Sequence, residues 1–194
     1  ANEILGYNIK NISFNSDISK ISNTKYAQPL IFLHSILASY YLKDQNIDFH
    51  MVSGHSLGEI SALTVAEALS FEDALEIIKI RADKMDSSGK KKPGKMLALI
   101  NISKEQLNEL CNIKSIVIAN INSPNQIVVY GEEKKIEEAL RVSKEINIKK
   151  AIKLQVSGAF HSPLMKNVTE DLKKTLDNVN FNDALVPVYQ NMTS

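Results

Sequence analysis

The pattern G-x-S-x-G at residues 54–58 constrains the fold of this chain more than any other segment. It lies between an apolar run at residues 49–53 and a run rich in small residues, 59–69, that contains no glycine or proline. These runs predict a short buried strand and a helix, and the sharp turn between them needs glycines because side chains there would collide with backbone. Such a turn lifts Ser56 to a helix N-terminus, where free N–H groups favour developing negative charge. The pattern therefore predicts a nucleophilic serine.

The composition is that of an ordinary globular protein. The chain has 194 residues, of which 44% are hydrophobic and 23% charged, and its net charge is +1. That balance gives no electrostatic reason to expect a nucleic-acid partner. A single cysteine, Cys111, excludes an intramolecular disulfide and favours a reducing cytoplasm. No apolar run reaches the roughly 18 residues that span a bilayer, so we expect no membrane association.

The order of the predicted elements indicates an α/β fold with an inserted unit. Apolar residues at helical spacing predict a helix over residues 26–45, and Ser70 caps a second helix that runs to residue 87. We predict an α/β-hydrolase-like parallel sheet with helices on both faces, formed by residues 1–93 and 156–194. Residues 94–155 follow the order of a ferredoxin-like βαββαβ subdomain. The further predicted elements are a loop at 88–95, strands at 96–102, 115–121, 126–130 and 150–156, helices at 103–111, 132–146 and 163–176, and an edge strand at 186–189.

A nucleophilic serine needs a base, and the chain has four histidines. His34 falls within the first predicted helix and His50 within the predicted strand, where a structural or surface role is the ordinary one. His55 is next to the serine in sequence, but neighbouring side chains point apart at such a turn. His161 lies on a loop that leads into a helix, where a rigid scaffold presents reactive groups. Spacing alone leaves open whether His161 meets Ser56.

Several separated motifs occur in this chain in one order. They are Gln28-Pro29, residues 54–59 (GHSLGE), Arg81, residues 120–124 (NINSP) and residues 158–165 (GAFHSPLM). Together these motifs closely resemble those of the malonyl-CoA:acyl carrier protein transacylases of fatty-acid synthesis and of the acyltransferase domains of polyketide synthases. The resemblance covers essentially the whole chain.

The resemblance implies a two-step acyl transfer in fatty-acid biosynthesis. Ser56 would attack the thioester of malonyl-CoA while His161 takes its proton, and the phosphopantetheine thiol of acyl carrier protein would then attack the malonyl-serine ester. The family orients its histidine with neutral hydrogen bonds, so no aspartate partner is expected. The CoA thioester is itself a substrate, and no metal and no separate cofactor are implied.

Arg81 resembles the arginine that binds the malonyl carboxylate in this family. Its position falls at the edge of the apolar stripe of the helix that follows Ser70, and a guanidinium grips a carboxylate with two parallel hydrogen bonds. From the helix alone, a surface arginine with a buried stem remains the alternative. The backbone N–H of Leu57, directly after the nucleophile, would contribute to the oxyanion hole.

Four further residues match positions that line the acyl and pantetheine site in the family: Gln28, Met85, Asn120 and Phe160. The alternatives from sequence alone are a first-turn helix residue for Gln28, a core residue for Met85 and a turn residue for Asn120. A ring at Phe160 would crowd an α-methyl branch, which favours malonyl over methylmalonyl by a modest margin of roughly 1–3 kcal/mol.

Members of this family extend beyond both ends of the chain. They begin with a strand and a loop rich in glycine and glutamine whose backbone completes the oxyanion hole, and they continue past the last predicted strand to a glutamine that holds the histidine. We therefore expect this chain to be a fragment, monomeric when complete, and weakly active or inactive alone. Two alternatives stay open: a serine esterase or thioesterase of the α/β-hydrolase type, and a non-catalytic fragment that binds acyl carrier protein.

Overall fold

The computed structural model describes residues 1–91, 94–154 and 166–192, which form an α/β structure. In chain order the elements are α1 (Asn2–Leu5), α2 (Ile9–Asn15), α3 (Ile18–Ile21), α4 (Thr24–Asp44), β1 (Val52–Ser53), α5 (Leu57–Val65), α6 (Phe71–Lys91), β2 (Lys95–Ile100), α7 (Lys104–Cys111), β3 (Val117–Ser123), β4 (Gln126–Gly131), α8 (Glu133–Glu145), β5 (Lys150–Leu154), α9 (Lys166–Leu176) and β6 (Val188–Tyr189).

The internal packing divides the chain into two units. The first, which we call the elbow unit, consists of Ala1–Lys84 and Glu170–Ser194, and the second, the sheet unit, consists of Met85–Thr169. The two divisions fall inside helices, one in α6 and one in α9. Among the residues that the structure describes, no helix is both long enough and apolar enough to cross a membrane.

Helix α4 begins two residues before the start that the apolar pattern predicts. The side chain of Asn23 caps it by accepting a hydrogen bond from the Lys25 N–H at 3.0 Å, so the helix starts at Thr24. Pro29 therefore lies beyond the first turn, and it has no N–H for the Lys25 carbonyl four residues back. The Tyr7 hydroxyl donates to that carbonyl at 3.4 Å, and burial raises the pKa of Tyr7 to about 12, so the hydroxyl keeps its proton.

The core of the elbow unit is built mainly by α4, α5 and α6. Phe32 of α4 is fully buried and stacks on Phe71 of α6, with ring centroids 5.7 Å apart. The apolar stripe that helical spacing predicts on α6 is confirmed, and Arg81 lies half-buried at its edge. The buried residues of the stripe are Leu75, Ile78, Ala82 and Met85.

Strands β1 and β6 form a parallel pair, the one sheet described within the elbow unit. Val52 pairs with Val188 and Ser53 pairs with Tyr189. Both strands fall within the predicted ranges 49–53 and 186–189, but each is only two residues long. The prediction that the first strand is buried was wrong, because Val52 is half-buried and Ser53 is exposed. Parallel strands bring their carboxyl ends to the same edge of a sheet, so the residues that follow β1 and β6 leave the pair side by side.

Helix α5 ends at Val65, four residues before its predicted end. Glu67 adopts φ 61°, a left-handed conformation that most often belongs to glycine at a helix C-terminus. The N–H groups of Ala68 and Leu69 both turn back to the Leu63 carbonyl, at 3.0 and 3.3 Å. The predicted end was wrong because no glycine marks this termination.

The sheet unit contains a four-stranded antiparallel sheet in the order β3-β4-β2-β5. Side chains of β2 and β4 pack with those of α7 and α8 in one core, in which Leu97, Val129, Leu110 and Ile136 are fully buried. The strands and helices predicted for residues 96–154 are all present within about two residues of their predicted ends. Residues 155 and 156 of the last predicted strand lie outside the described residues.

Two local predictions in this part of the chain have opposite outcomes. The capping box of α7 is confirmed, since Ser103 Oγ accepts from the Gln106 N–H at 3.2 Å and the Gln106 side chain accepts from the Ser103 N–H at 3.0 Å. The predicted loop at residues 88–95 was wrong at both ends. Helix α6 continues to Lys91 and β2 already begins at Lys95.

Candidate active site

Ser56 stands at the turn between β1 and α5 in a conformation that few residues adopt. Its φ is 56° and its ψ is −108°, although it carries a side chain. A non-glycine residue held in such a region costs on the order of 1–3 kcal/mol and persists only where its surroundings enforce it. A strained serine between a strand and the first residue of a helix, here Leu57, has the geometry of a nucleophile elbow.

The two glycines of the motif contribute unequally to this turn. A Cβ built on Gly54 would lie 2.6 Å from Gly58 Cα and closer still to the Gly58 carbonyl group, which is backbone that cannot move aside. Among the residues that the structure describes, a Cβ built on Gly58 would meet nothing within 4 Å. The predicted steric need for glycine is therefore confirmed at Gly54, whereas no described residue creates it at Gly58.

The Ser56 side chain is bonded to an arginine that helix α6 supplies. Arg81 Nη2 donates a hydrogen bond to Ser56 Oγ at 2.7 Å, and Arg81 Nη1 donates to Gln28 Oε1. Gln28 lies on α4 and is buried, with 7% of its surface exposed. Burial lowers the pKa of Arg81 from its usual value, yet a guanidinium remains a cation at neutral pH. The structure therefore brings together three of the predicted site residues, Ser56, Gln28 and Arg81, around one half-buried positive charge.

Asn191 holds the turn from the other side, and sequence reasoning missed it. Its Nδ2 donates to the Gly54 carbonyl at 3.0 Å and to Glu59 Oε2, while its Oδ1 accepts from the Ser56 N–H at 3.1 Å. The backbone N–H of Asn191 also donates to Glu59 Oε2, at 3.2 Å. A signal did exist, because Asn191 follows the predicted edge strand by two residues and parallel strands deliver such residues to one edge.

Leu57 supplies the first N–H of α5. The structure gives this N–H no acceptor among the residues it describes, as is ordinary for the first turn of a helix. The Leu57 side chain is buried in the core, which fixes the start of the helix directly after Ser56. This N–H is therefore available at the helix terminus where a developing negative charge is favoured.

The remaining predicted site residues belong to the sheet unit or lie outside the described residues. Met85 is buried on α6 and belongs to the sheet unit, as does Asn120, a half-buried residue of β3 that pairs with Val128. His161 and Phe160 lie outside the described residues. Within the ranges that the structure describes, no group of three histidine, cysteine or acidic side chains is placed to hold a metal ion.

These observations define an α/β protein with a strained serine at a strand–helix elbow and an arginine bonded to that serine. The sequence profile of the acyl transferase domain family matches residues 2–194. The chain belongs to that family.

Individual relatives agree with this assignment. The chain is 37% identical over 199 residues to the malonyl CoA-acyl carrier protein transacylase of Staphylococcus aureus, an alignment that covers 100% of this chain and 64% of the relative. The crystal structure of the malonyl-CoA:ACP transacylase of Synechocystis superposes with a TM-score of 0.84 at 34% identity, over 96% of this chain and 62% of that one. The Streptococcus pneumoniae structure named MCAT gives a TM-score of 0.86 at 32% identity, over 99% and 64%. The chain thus spans about 64% of the length of the curated relative.

Proposed function

We propose that the protein transfers a malonyl group from malonyl-CoA to the phosphopantetheine thiol of acyl carrier protein, as a step of fatty-acid biosynthesis. The observation that carries the proposal is the 2.7 Å hydrogen bond between Arg81 Nη2 and Ser56 Oγ. An acyl group esterified to Ser56 would begin within reach of that guanidinium. An arginine at this distance suits an acyl group that ends in a carboxylate, and the names of the relatives state such an acyl group.

The chemistry needs two exchanges at one carbonyl carbon. Ser56 Oγ attacks the thioester carbonyl and gives its proton to His161, and the Leu57 N–H stabilises the negative oxygen that forms. When the C–S bond breaks, the proton passes from His161 to the departing CoA thiolate and a malonyl-serine ester remains. The carrier thiol then attacks this ester, loses its proton to His161, and Ser56 recovers a proton as the C–O bond breaks. The motif that contains His161 is the support for its role as the base.

Gln28 and Arg81 form the acyl-recognition part of this proposal. The buried amide oxygen of Gln28 fixes one Nη group of Arg81, which directs the other toward Ser56. A fixed guanidinium is pre-organised for a carboxylate, so less conformational entropy is lost on binding. Met85, Asn120 and Phe160 are proposed as further contacts to the acyl chain and pantetheine on the strength of the motif resemblance.

The finer description of the fold belongs to the same proposal. We infer an α/β-hydrolase-like large subdomain at residues 1–93 and 156–194, supported by the parallel pair β1–β6 that flanks the elbow. We infer a ferredoxin-like subdomain at residues 94–155, supported by the antiparallel order β3-β4-β2-β5 with two helices. We further propose a cytoplasmic monomer that needs no cofactor beyond its CoA substrate, does not associate with membranes and has no nucleic-acid partner. The single cysteine and the modest net charge support the cytoplasm and the lack of nucleic acid.

Intact-mass measurement after incubation with malonyl-CoA tests the proposal directly. We expect a gain of one malonyl group that is absent in Ser56→Ala and that disappears when acyl carrier protein is added, with the malonyl group recovered on the carrier. Free malonate in place of a malonylated carrier would identify an esterase. Binding of acyl carrier protein without any mass gain would identify a non-catalytic binding module, and either result would refute the transferase.

A further inference from the structure

We propose that Asn191 is a positioning residue that holds the Ser56 elbow in its reactive conformation, and that Glu59 holds Asn191 in turn. The inference rests on the proposed role of Ser56 as the nucleophile. Asn191 touches no reacting atom in this assignment. It acts through the backbone of Ser56, whose side chain is the proposed nucleophile.

The amide group of Asn191 contacts the elbow before, at and after the serine. Gly54 precedes the nucleophile and gives its carbonyl oxygen to Asn191 Nδ2 at 3.0 Å. Ser56 gives its own N–H to Asn191 Oδ1 at 3.1 Å. Glu59 lies three residues after the nucleophile, in the first turn of α5, and accepts from the side-chain and backbone N–H groups of Asn191. One residue therefore fixes both sides of the turn.

The partners of Asn191 define its orientation without ambiguity. A backbone N–H can only donate, so the atom that faces Ser56 must be the amide oxygen. A carbonyl and a carboxylate can only accept, so the atom that faces Gly54 and Glu59 must be the amide nitrogen with its two hydrogens. Asparagine satisfies all of these requirements, whereas aspartate has no donor to offer and leucine has neither group.

This arrangement explains how a strained residue is kept in place. The left-handed φ of Ser56 would relax if nothing opposed it, because an L-residue gains free energy on leaving that region. Asn191 binds the N–H that such a rotation would have to move. With the N–H fixed, Ser56 Oγ stays toward Arg81. The bonded Ser56 N–H is also withdrawn from any role as an oxyanion donor, which leaves that role to Leu57.

The sheet pairing sets the position of Asn191. β6 pairs in parallel with β1; Asn191 follows the end of β6 by two residues, and Gly54 follows the end of β1 by one. The short β1–β6 pair thus also positions the residues that follow its two strands. It brings residues 54–59 and Asn191, whose hydrogen-bonded partners lie 132 to 137 positions apart in the sequence, to one edge.

Acylation kinetics of Asn191→Ala test this inference. We expect the rate constant for acylation of Ser56 by malonyl-CoA to fall about tenfold or more, with the KM for malonyl-CoA within about twofold of its original value, because the Arg81 contacts to substrate remain. Amide hydrogen exchange in residues 54–59 should become faster. The melting temperature should change little, because Asn191 is exposed.

Substitutions that exchange the donor and the acceptor separate positioning from general damage. Asn191→Asp loses both donors and places a second carboxylate against Glu59, so it should be slower than Asn191→Ala. Combining it with Glu59→Gln restores a donor opposite the new carboxylate and should recover part of the acylation rate. Asn178→Ala is the matched control. Asn178 is also an exposed asparagine whose Nδ2 donates to a backbone carbonyl, that of Lys174 at 2.7 Å, and its loss should leave acylation unchanged.

The outcomes distinguish this inference from the function on which it rests. If the unsubstituted protein takes no malonyl group, the proposed function fails. If Asn191→Ala keeps the original acylation rate, or if its residues 54–59 exchange no faster than before, the positioning role is overturned. A rise in KM without a fall in the acylation rate would also overturn it, since that pattern indicates a substrate contact.

Discussion

The two units of this chain hold their important residues by different physical means. In the sheet unit, β2 lies between two antiparallel neighbours, and residues such as Leu97 and Leu99 are held by burial on every side. In the elbow unit, Ser56 follows a strand of only two residues, and single polar side chains, Arg81 and Asn191, hold it.

The difference teaches that stability and reactivity need not depend on the same residues here. Apolar packing is non-directional and is shared over many contacts, so it contributes to stability more than to geometry. Hydrogen bonds to a strained turn are directional and few, so each one fixes a position. We therefore expect substitutions in the buried core of the four-stranded sheet to change the free energy of unfolding, and substitutions at the elbow to change acylation.

The largest effect should come from Gly54→Ala. Its Cβ would overlap the backbone of Gly58, so the turn cannot form as it stands and acylation should fall to the level of Ser56→Ala. Gly58→Ala is the matched control, because its Cβ meets no atom of the described residues within 4 Å, and it should retain acylation. Intact-mass labelling with malonyl-CoA measures both. Equal losses in the two variants would contradict the division of roles between the glycines.

Leu97→Ala should give the next largest effect, and on a different quantity. Removing a fully buried leucine from the sheet unit should lower the free energy of unfolding by about 2–5 kcal/mol. The acylation rate constant of the protein that remains folded should stay unchanged. Urea denaturation measures the first quantity and burst-phase labelling the second. A loss of acylation in the folded protein would contradict the expectation that packing at Leu97 contributes to stability and not to the reactivity of Ser56.

Arg81→Ala should have the opposite effect to Leu97→Ala: it should lower acylation and change the free energy of unfolding little. Loss of the guanidinium should lower acylation by malonyl-CoA about a hundredfold, which corresponds to about 2.7 kcal/mol, because the acyl carboxylate loses its charged partner. Acylation by acetyl-CoA, which has no carboxylate, should not fall. Lys84→Ala removes a half-exposed charge from the same helix and should leave both rates alone. Parallel losses with both thioesters would argue against carboxylate recognition.

The smallest effect should be that of Ser103→Ala, which removes the cap of α7. We expect a loss of about 1 kcal/mol in the free energy of unfolding, with acylation unchanged. Ser103→Thr keeps a hydroxyl at the cap and should behave like the original protein. Urea midpoints at constant slope are the measurement. A change in the labelling rate would contradict this prediction, because it would show that the cap of α7 affects Ser56.

Local rules predicted local structure well in this chain. The capping box of Ser103 and Gln106 was confirmed because both partners lie within one turn of sequence. The end of α5 was misplaced because Glu67, and not a glycine, adopts the left-handed conformation there. In both cases the deciding interaction lies within a few residues. The residue types at the start of α7 indicate the capping box, whereas Glu67 gives no sign that it ends α5.

Long-range contacts at the elbow could not be predicted in this way. The contact of Arg81 with Gln28 joins residues 53 positions apart, and the contact of Asn191 with Ser56 joins residues 135 positions apart. Helical spacing placed Arg81 at the edge of its stripe, but no periodicity says which residue of another helix it meets. The G-x-S-x-G pattern supplied Ser56 as a candidate, and the motif resemblance supplied Gln28 and Arg81.

The bond from Arg81 to Ser56 Oγ has a consequence for the order of events in the proposed reaction. A guanidinium N–H that donates to the hydroxyl oxygen withdraws electron density from the atom that must attack. The bond therefore lowers the nucleophilicity of Ser56 Oγ before substrate binds. In the proposed reaction, an incoming carboxylate would compete for that same Nη2 with a full negative charge and displace the neutral hydroxyl. A thioester with a carboxylate would therefore release Ser56 Oγ from Arg81 and raise its nucleophilicity. An uncharged acyl chain, or water alone, would leave that hydrogen bond in place and the serine unreactive.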